Sequence, residues 1–539
     1  MRFSTIVVLL SASSLAAQEI AAPIFPKPAY FRHTFTTPQT HVELQPPVKL
    51  QDYVASGKLE LSLKNYLDLV MANNTDVAVA RLTLETPKND VMGAFGKFDP
   101  SLSMNFSAQR QKQGSARSAI DGGSEVNSLT HNGGLTWTQT LQSGTLFTAG
   151  FSDNRRSSSD ARSDYSPSHS GALQLSFTQP LLRNRGFAIQ RMPITIARNM
   201  VRKSEYDFRD SLLNLIEQAE GAYWSVVEAR ETLRVQEDSL KIKDASLKRS
   251  ERELELGAIS PLDIFQPKAD YATAEIQVSQ QRFMLAQRED ALRKMIGADL
   301  DAAARQLPLA LTETVMPPAS DRAIETEQAV EKAMSMRPDL KSIGVSLDTD
   351  DLRIRSTSNL LRPDLSLTGS YTSSGLNGMN MVDGVWRPGS FGDMFGNVFG
   401  FNLPTYRFGL SLSLPIRDRK NTADLANQLI AKKSDALRLR NQQQSIRLNV
   451  LNAISSLESA KAGVRLAQVS VDLAQQQVDA EQKKYDLGTG LMYFVLQAQD
   501  RLNSAKLTLV RNIINYHRNR LSLVRQTGEL LDERGIVIK

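Results

Sequence analysis

The sequence predicts an α+β membrane protein: a transmembrane β-barrel shared between chains, continued by long coiled-coil helices and built from two tandem repeats. Three observations carry that prediction. A short apolar leader opens a chain with no other apolar run long enough to cross a membrane as a helix. A sevenfold series of apolar residues occurs twice at a fixed offset. Beside each series lie stretches in which apolar and polar residues alternate.

Residues 1–17 read as a secretory signal peptide. Arg2 supplies the positive start, Phe3 to Leu15 the apolar core, and Ala16 and Ala17 a small-residue cleavage site. That core, about 13 residues, is too short for a spanning helix, which needs roughly 20. Any membrane crossing by the exported chain therefore uses strands. Residues 18–58 form a proline-rich N-terminal arm with Pro23, Pro26, Pro28, Pro38, Pro46 and Pro47.

Leu256-Gly257 and Leu487-Gly488 anchor the repeat, 231 residues apart. Before the first, Ala219, Val226, Leu233, Leu240, Leu247 and Leu254 recur every seven residues. At the same offset stand Val450, Leu457, Val464, Val471, Val478 and Tyr485. After the glycines, Ile264, Tyr271, Val278, Leu285 and Leu292 are matched by Val495, Leu502, Leu509, Tyr516 and Leu523. A sevenfold apolar period marks helices that pack along a common seam. In the second half Ala453, Ala460, Ala467 and Ala474 alternate with the larger residues and let backbones approach closely. The helix before Gly488 runs from about Thr422 to Asp486, roughly 95 Å, and its counterpart from about Arg202 to Glu255, roughly 80 Å. The first repeat spans residues 59–297 and the second 325–531. A linker with Pro308, Pro317 and Pro318 occupies 298–324, and 532–539 is a tail. Each repeat reads helix, β-rich segment, long helix, turn, helix.

Six segments alternate with period two. Leu102–Met104–Phe106 and Leu365–Leu367 open the two β-rich regions; Leu173–Leu175–Phe177 and Phe408–Leu410–Leu412–Leu414 close them. In the first region only, Leu135–Trp137 and Phe147–Ala149–Phe151 flank Ser143-Gly144, a hairpin signal that adds two strands or decorates a loop. Connectors are expected at Gln111 to Thr130, Asn154 to Ser170 and the glycine-rich Ser373 to Pro404. Pro100 and Pro363 precede the opening strands, and Pro180 and Pro415 follow the closing ones, where a missing N–H ends a ladder. One chain then supplies four strands, or six with the Ser143 hairpin. Lipid tolerates no unpaired edge, so such a sheet must close with copies of itself.

Composition excludes several functions. Net charge is +6, from 64 basic and 58 acidic residues that are interspersed, unlike a nucleic-acid binder's clustered basic face. The chain has no cysteine, which removes disulfides, thiolate metal sites and a lipid anchor on cysteine. None of the five histidines pairs at helical spacing, so no metal site is expected. No nucleophile elbow or phosphate loop is present, and no catalytic residue or cofactor is expected. Asp350-Asp351 reads as a solvated helix face. The alternative to a channel is a periplasmic coiled-coil adaptor or structural protein.

From about Leu61 to Leu531 the chain resembles the TolC-like outer-membrane factors. The duplicated unit carries the resemblance. So do Gln179-Pro180-Leu181 and Leu414-Pro415-Ile416 at strand-to-helix junctions, and Tyr485-Asp486-Leu487-Gly488-Thr489-Gly490 followed by Val495-Leu496. The resemblance implies a homotrimer in the cell outer membrane. Its barrel would have twelve strands, four per chain, and its helices would form a periplasmic tunnel. It implies the channel of a tripartite efflux or type I secretion system, in contact with outer-membrane lipid, a periplasmic adaptor protein and an inner-membrane transporter, and not with nucleic acid. The tips at Leu256, Gly257, Leu487, Gly488 and Thr489 become candidate adaptor contacts. Several family members close the tip with an acidic ring. The matching positions here are Phe494 and Gln497, with Asp263 at the first-half equivalent of Phe494. These three are the candidate gate residues, and Phe494 suits an apolar constriction.

Overall fold

The computed structural model of the protein describes residues 53–55, 57–114, 125–159, 166–298, 305, 307–313, 315–316, 325–378, 380–387 and 390–536. The signal peptide, most of the arm and linker, and residues 537–539 of the tail lie outside the described residues.

In chain order the elements are β1 (Val54–Ala55), β2 (Lys58–Leu61), α1 (Leu63–Asn73), α2 (Thr75–Phe95), β3 (Ser101–Gly114), β4 (Glu125–Thr140), β5 (Leu146–Ser158), β6 (Ser168–Pro180), α3 (Phe187–Gln190), α4 (Met192–Glu255) and α5 (Phe265–Met295). There follow β7 (Leu309–Leu311), α6 (Thr326–Met336), α7 (Pro338–Leu360), β8 (Asp364–Gly378), β9 (Asn380–Val382), β10 (Val385–Arg387), α8 (Phe391–Phe399), β11 (Pro404–Ser413), α9 (Arg419–Asp486), α10 (Met492–Thr527) and α11 (Leu530–Glu533). Among the described residues no helix is long and apolar enough to cross a membrane.

The chain divides into two compact units. One comprises Met1–Glu85, Ser204–Ile343 and Arg438–Lys539; the other comprises Thr86–Lys203 and Gly344–Leu437.

The first unit is helical. α4 has 64 residues and α9 has 68, so each runs about 100 Å. α4 begins within the second unit's stretch of chain, ten residues before the expected Arg202, where Met192, Ile194 and Ala197 are buried. Sevenfold positions fall on the packed side: Leu212, Ala219, Val226, Val278, Leu292, Val450, Leu457, Val495, Leu502, Tyr516 and Leu523 are buried. Ala453, Ala460 and Ala467 are buried between the larger layers. One core cluster gathers Leu61, Tyr66, Leu69, Ile216, Tyr223, Leu292 and Ile514. Its two tyrosines keep their hydroxyls satisfied, Tyr66 donating to the Ala219 carbonyl (3.1 Å) and Tyr223 to the Leu61 carbonyl (3.2 Å). Near this core β2 pairs antiparallel with β1 and parallel with β7, which joins the end of the arm to the linker.

The second unit carries one antiparallel six-stranded sheet in the order β11-β8-β6-β5-β4-β3. The Ser143 hairpin adds strands: β4 and β5 pair continuously from Thr140↔Leu146 to Ser128↔Ser158. One chain thus presents six strands, not the four that the resemblance implies. Strands also run further than expected into the segments taken as connectors, since β3 continues to Gly114 and β4 begins at Glu125. Polar residues there alternate as well as apolar ones and find full ladder partners from Gln111↔Ser128 to Gly114↔Glu125. The glycine-rich segment is also structured, holding β9, β10 and α8.

Alternation divides the sheet's two faces by chemistry. On one face Leu102, Trp137, Ala149, Leu175, Tyr371 and Tyr406 follow each other across all six strands. On the other, Ser103, Thr136, Gly150, Gln174, Thr372 and Thr405 do the same. Among the described residues β3 and β11 have one partner each, and their apolar residues Met104, Phe106, Phe408 and Leu410 stand exposed.

Candidate functional site

The two hairpin tips close in the same way. The helix before each turn ends on a glycine in the left-handed region, Gly257 at φ 72° and Gly488 at φ 73°. At the first tip the Gly257 N–H donates to the Leu254 carbonyl and the Ala258 N–H to the Glu253 carbonyl. At the second the Gly488 N–H donates to the Tyr485 carbonyl and the Thr489 N–H to the Lys484 carbonyl. This glycine cap satisfies the last helical carbonyls and reverses the chain at little steric cost. The Thr489 hydroxyl adds a bond to the Lys484 carbonyl at 3.1 Å.

The cap leaves large apolar side chains outside the seam. Leu256 is 84% exposed and Leu487 80% exposed, and Leu262, Phe265, Leu491 and Tyr493 are exposed with them. Exposed apolar surface of this kind is a general feature of interaction sites.

Each candidate gate residue has a definite setting. Phe494 is 46% exposed and lies edge-on to Tyr493, with ring centroids 5.5 Å apart. Gln497 is exposed and lines a shallow groove with Asp500, Arg501 and Ser504. Asp263 is exposed, and its carboxylate accepts from the Ser260 N–H at 3.1 Å, which braces the first tip loop. No direct contact joins Asp263 to Phe494 or Gln497 among the described interactions.

The structure brings together a set of residues that the sequence reading did not single out. The Tyr485 hydroxyl, at the end of α9, donates to the carboxylate of Glu253, at the end of α4, at 3.0 and 3.1 Å. Arg249 stands over the Tyr485 ring at 4.7 Å, binds Glu253 at 3.1 Å and reaches Asp486 at 3.6 Å. Burial, then the bond to Glu253, pushes the Tyr485 hydroxyl above its ordinary range, so it stays a donor. These four residues form a clasp between the two hairpins. One signal was visible: Tyr485 occupies a sevenfold position where the first half has Leu254, and a phenol in a seam needs an acceptor. Further from the tip, Lys243 on α4 is buried and bridges Asp500 of α10 (2.7 Å) and Asp270 of α5 (3.7 Å).

The structure corrects the reading of Asp350-Asp351 as a solvated pair. Asp351 is half-exposed and binds Lys432 at 2.5 Å, whereas Asp350 is 3% exposed. Burial first, then Asp435, lifts the Asp350 carboxyl above its ordinary range. Among the described residues no group of three or more potential metal ligands occurs.

The sequence matches the family described as outer membrane efflux protein over residues 145–298 and 329–529, more than half of the chain. The chain belongs to the outer membrane efflux protein family. It is accordingly a channel protein of the outer membrane rather than an enzyme. No curated protein sequence matches it. Solved family-like structures share its fold. The outer membrane channel CmeC of Campylobacter jejuni aligns with TM-score 0.60 at 16% identity, covering 87% of this chain and 86% of that one. VceC of Vibrio cholerae aligns with TM-score 0.61 at 13% identity, covering 86% and 96%. The open state of the MtrE channel of Neisseria gonorrhoeae aligns with TM-score 0.60 at 18% identity, covering 87% and 89%.

Proposed function

We propose that this efflux channel is a homotrimer whose three six-stranded sheets close into one barrel of eighteen strands. In this reading β3 of one protomer pairs with β11 of the next. The single observation behind it is the six-strand sheet whose two edges are unpaired among the described residues and one of whose faces carries most of its apolar side chains. Neither edge can remain open in lipid. Six strands are too few for a barrel, since about eight barely enclose an interior. Barrels of about sixteen to eighteen strands hold an aqueous channel. The apolar face turns to lipid and the serine- and threonine-rich face to the lumen.

The helical hairpins then extend the pore as a periplasmic tunnel. Substrate enters from an inner-membrane transporter of a tripartite efflux or type I secretion system, and the exposed leucines of the tips meet the adaptor. The Tyr485–Glu253–Arg249 clasp holds the tunnel end narrow, with Phe494 as an apolar constriction and Gln497 and Asp263 beside it. The two halves are copies of one helix–strand–hairpin unit.

The absence of cysteine allows a clean test. Ser103→Cys with Ser411→Cys places thiols on the luminal faces of β3 and β11; two-residue shifts of the second thiol, which keep it on that face, scan the register. Oxidation is expected to give chain-to-chain cross-links up to a closed trimer on denaturing gels. Cross-links stopping at dimers, or a monomeric water-soluble protein, would overturn the reading.

A further inference from the structure

The short helix α8 lies against the apolar face of the sheet, not the polar one. Its seat is cut by glycine. Gly133, Asp153, Gly171 and Gly375 form one cross-strand row on that face. Met394 and Val398 fill the trough and are fully buried. A Cβ on Gly375 would meet the Val398 side chain at 2.7 Å, and one on Gly171 would run into the Met394 side chain. The buried Ser373 hydroxyl donates to the Val398 carbonyl at 2.6 Å. A capping box of Ser390 and Asp393 starts the helix. The helix is therefore fixed in place.

What the helix and the residues just after it leave half-exposed is phenylalanine. Phe391, Phe395, Phe399 and Phe401 are between 41% and 49% exposed. Phe395 and Phe399 lie 4.3 Å apart, and Phe391 lies 6.0 Å from Phe395. Phe151 of the sheet touches both Phe395 and Phe399, so the ridge continues the sheet's own apolar surface. One row further toward the loop ends of the strands, on the same face, come His131, Arg155 and His169. On the same face Arg110 of β3, opposite Leu129, stands one row further on, and Lys112, opposite Asn127, two rows further on and in a pair with Glu125. The His169 ring stands edge-on to Phe391 at 6.3 Å.

We propose that α8 and these basic side chains form a docking site for anionic lipid on the outside of the barrel. The proposal rests on the barrel reading above. Phenylalanines enter the acyl-chain boundary, and the guanidinium and imidazole groups beyond them meet a phosphate at headgroup depth. A short amphipathic helix pinned to a lipid-facing sheet has the geometry of an interfacial anchor. The apolar ridge alone would fit any hydrocarbon. The adjoining cations select a negatively charged headgroup.

The test uses the full-length protein, purified in detergent and exposed to phosphatidylglycerol or phosphatidylcholine, with retained lipid counted by native mass spectrometry. Wild type is expected to retain phosphatidylglycerol preferentially. Arg155→Gln together with Arg110→Gln is expected to erode that preference by about fivefold for each charge removed. Phe395→Ser together with Phe399→Ser is expected to lower retention of both lipids. Independently, a photo-cross-linking amino acid at position 395 is expected to give lipid adducts in phosphatidylglycerol vesicles. Adducts only to a second copy of the chain would overturn the proposal. So would equal retention of the two lipids by wild type. A heat-resistant trimer with no lipid preference sinks this inference alone, whereas loss of the trimer in wild type sinks the barrel reading beneath it.

Discussion

Tyr485 is where a single hydroxyl has most to do. Its bond to Glu253 ties the end of one long helix to the end of another, and Arg249 and Asp486 surround it. Removing the hydroxyl leaves the carboxylate to Arg249 alone. Tyr485→Phe is therefore expected to raise single-channel conductance in planar bilayers while leaving the trimer intact; unchanged conductance would detach the clasp from gating. Phe494→Ala tests the constriction separately. It is expected to raise conductance on its own, and no change would remove Phe494 from the gate. His517 serves the fold instead. Its ring stacks on Trp224 at 3.9 Å, lies edge-on to Tyr516 and binds the Val315 carbonyl at 2.9 Å, with Arg520, Arg534 and Glu313 nearby. Burial holds its imidazole below the ordinary range, so the neutral form is favoured in the folded chain. That contribution is present at neutral pH and is lost as pH falls through the acidic range where the imidazole charges. Burial lifts the nearby Glu220 carboxyl, held by Arg534, and its contribution runs the opposite way, growing as pH falls. His517→Gln removes only the first. The drop in urea midpoint from pH 7 to pH 5 should be smaller in that variant than in wild type, and an equal drop would contradict the assignment.

Elements obey their local patterns until a tertiary partner intervenes. The sevenfold series marks both long helices well because 3.6-residue geometry places such residues on one side. The glycine tips are equally plain, since a reversal after a long helix favours a residue free to take positive φ. α8 is the opposite case. Its run of glycine and phenylalanine reads as a loop, and a nine-residue helix holding Gly392 and Gly396 has little stability alone. The trough at Gly171 and Gly375 makes it a helix by burying Met394 and Val398. Gly375→Val should therefore unseat α8 without breaking the sheet. Limited proteolysis is expected to cut between residues 391 and 403 in the variant and not in wild type, and equal resistance would refute the trough.

In the proposed trimer, pore width turns on how many strands one chain brings to the barrel. The Ser143 hairpin raises the number to six, and three such chains give eighteen strands where the family resemblance implies twelve. Barrel diameter grows roughly in proportion to strand number. Excising β4 and β5 with their turn should leave β3 to pair with β6 in a four-stranded sheet. The barrel section of that trimer would then have about half the wild-type pore area. With the clasp opened by Tyr485→Phe in both backgrounds, conductance is expected to fall by about half on excision. Equal conductance would place the limiting constriction elsewhere or the hairpin outside the wall.

Much of this architecture is local information. Helix and strand periods, proline at strand ends and glycine at tips are properties of neighbouring residues, so the sequence by itself determined the class of fold, the six strands as segments and the ends of the hairpins. It did not determine which strands stand side by side, that Tyr485 meets Glu253 from more than two hundred residues away, that Asp350 is buried, or that a glycine-rich segment folds onto the apolar face. Those depend on pairings between distant parts of the chain. Their energy comes from contacts that no single stretch contains, and only the tertiary structure decided them.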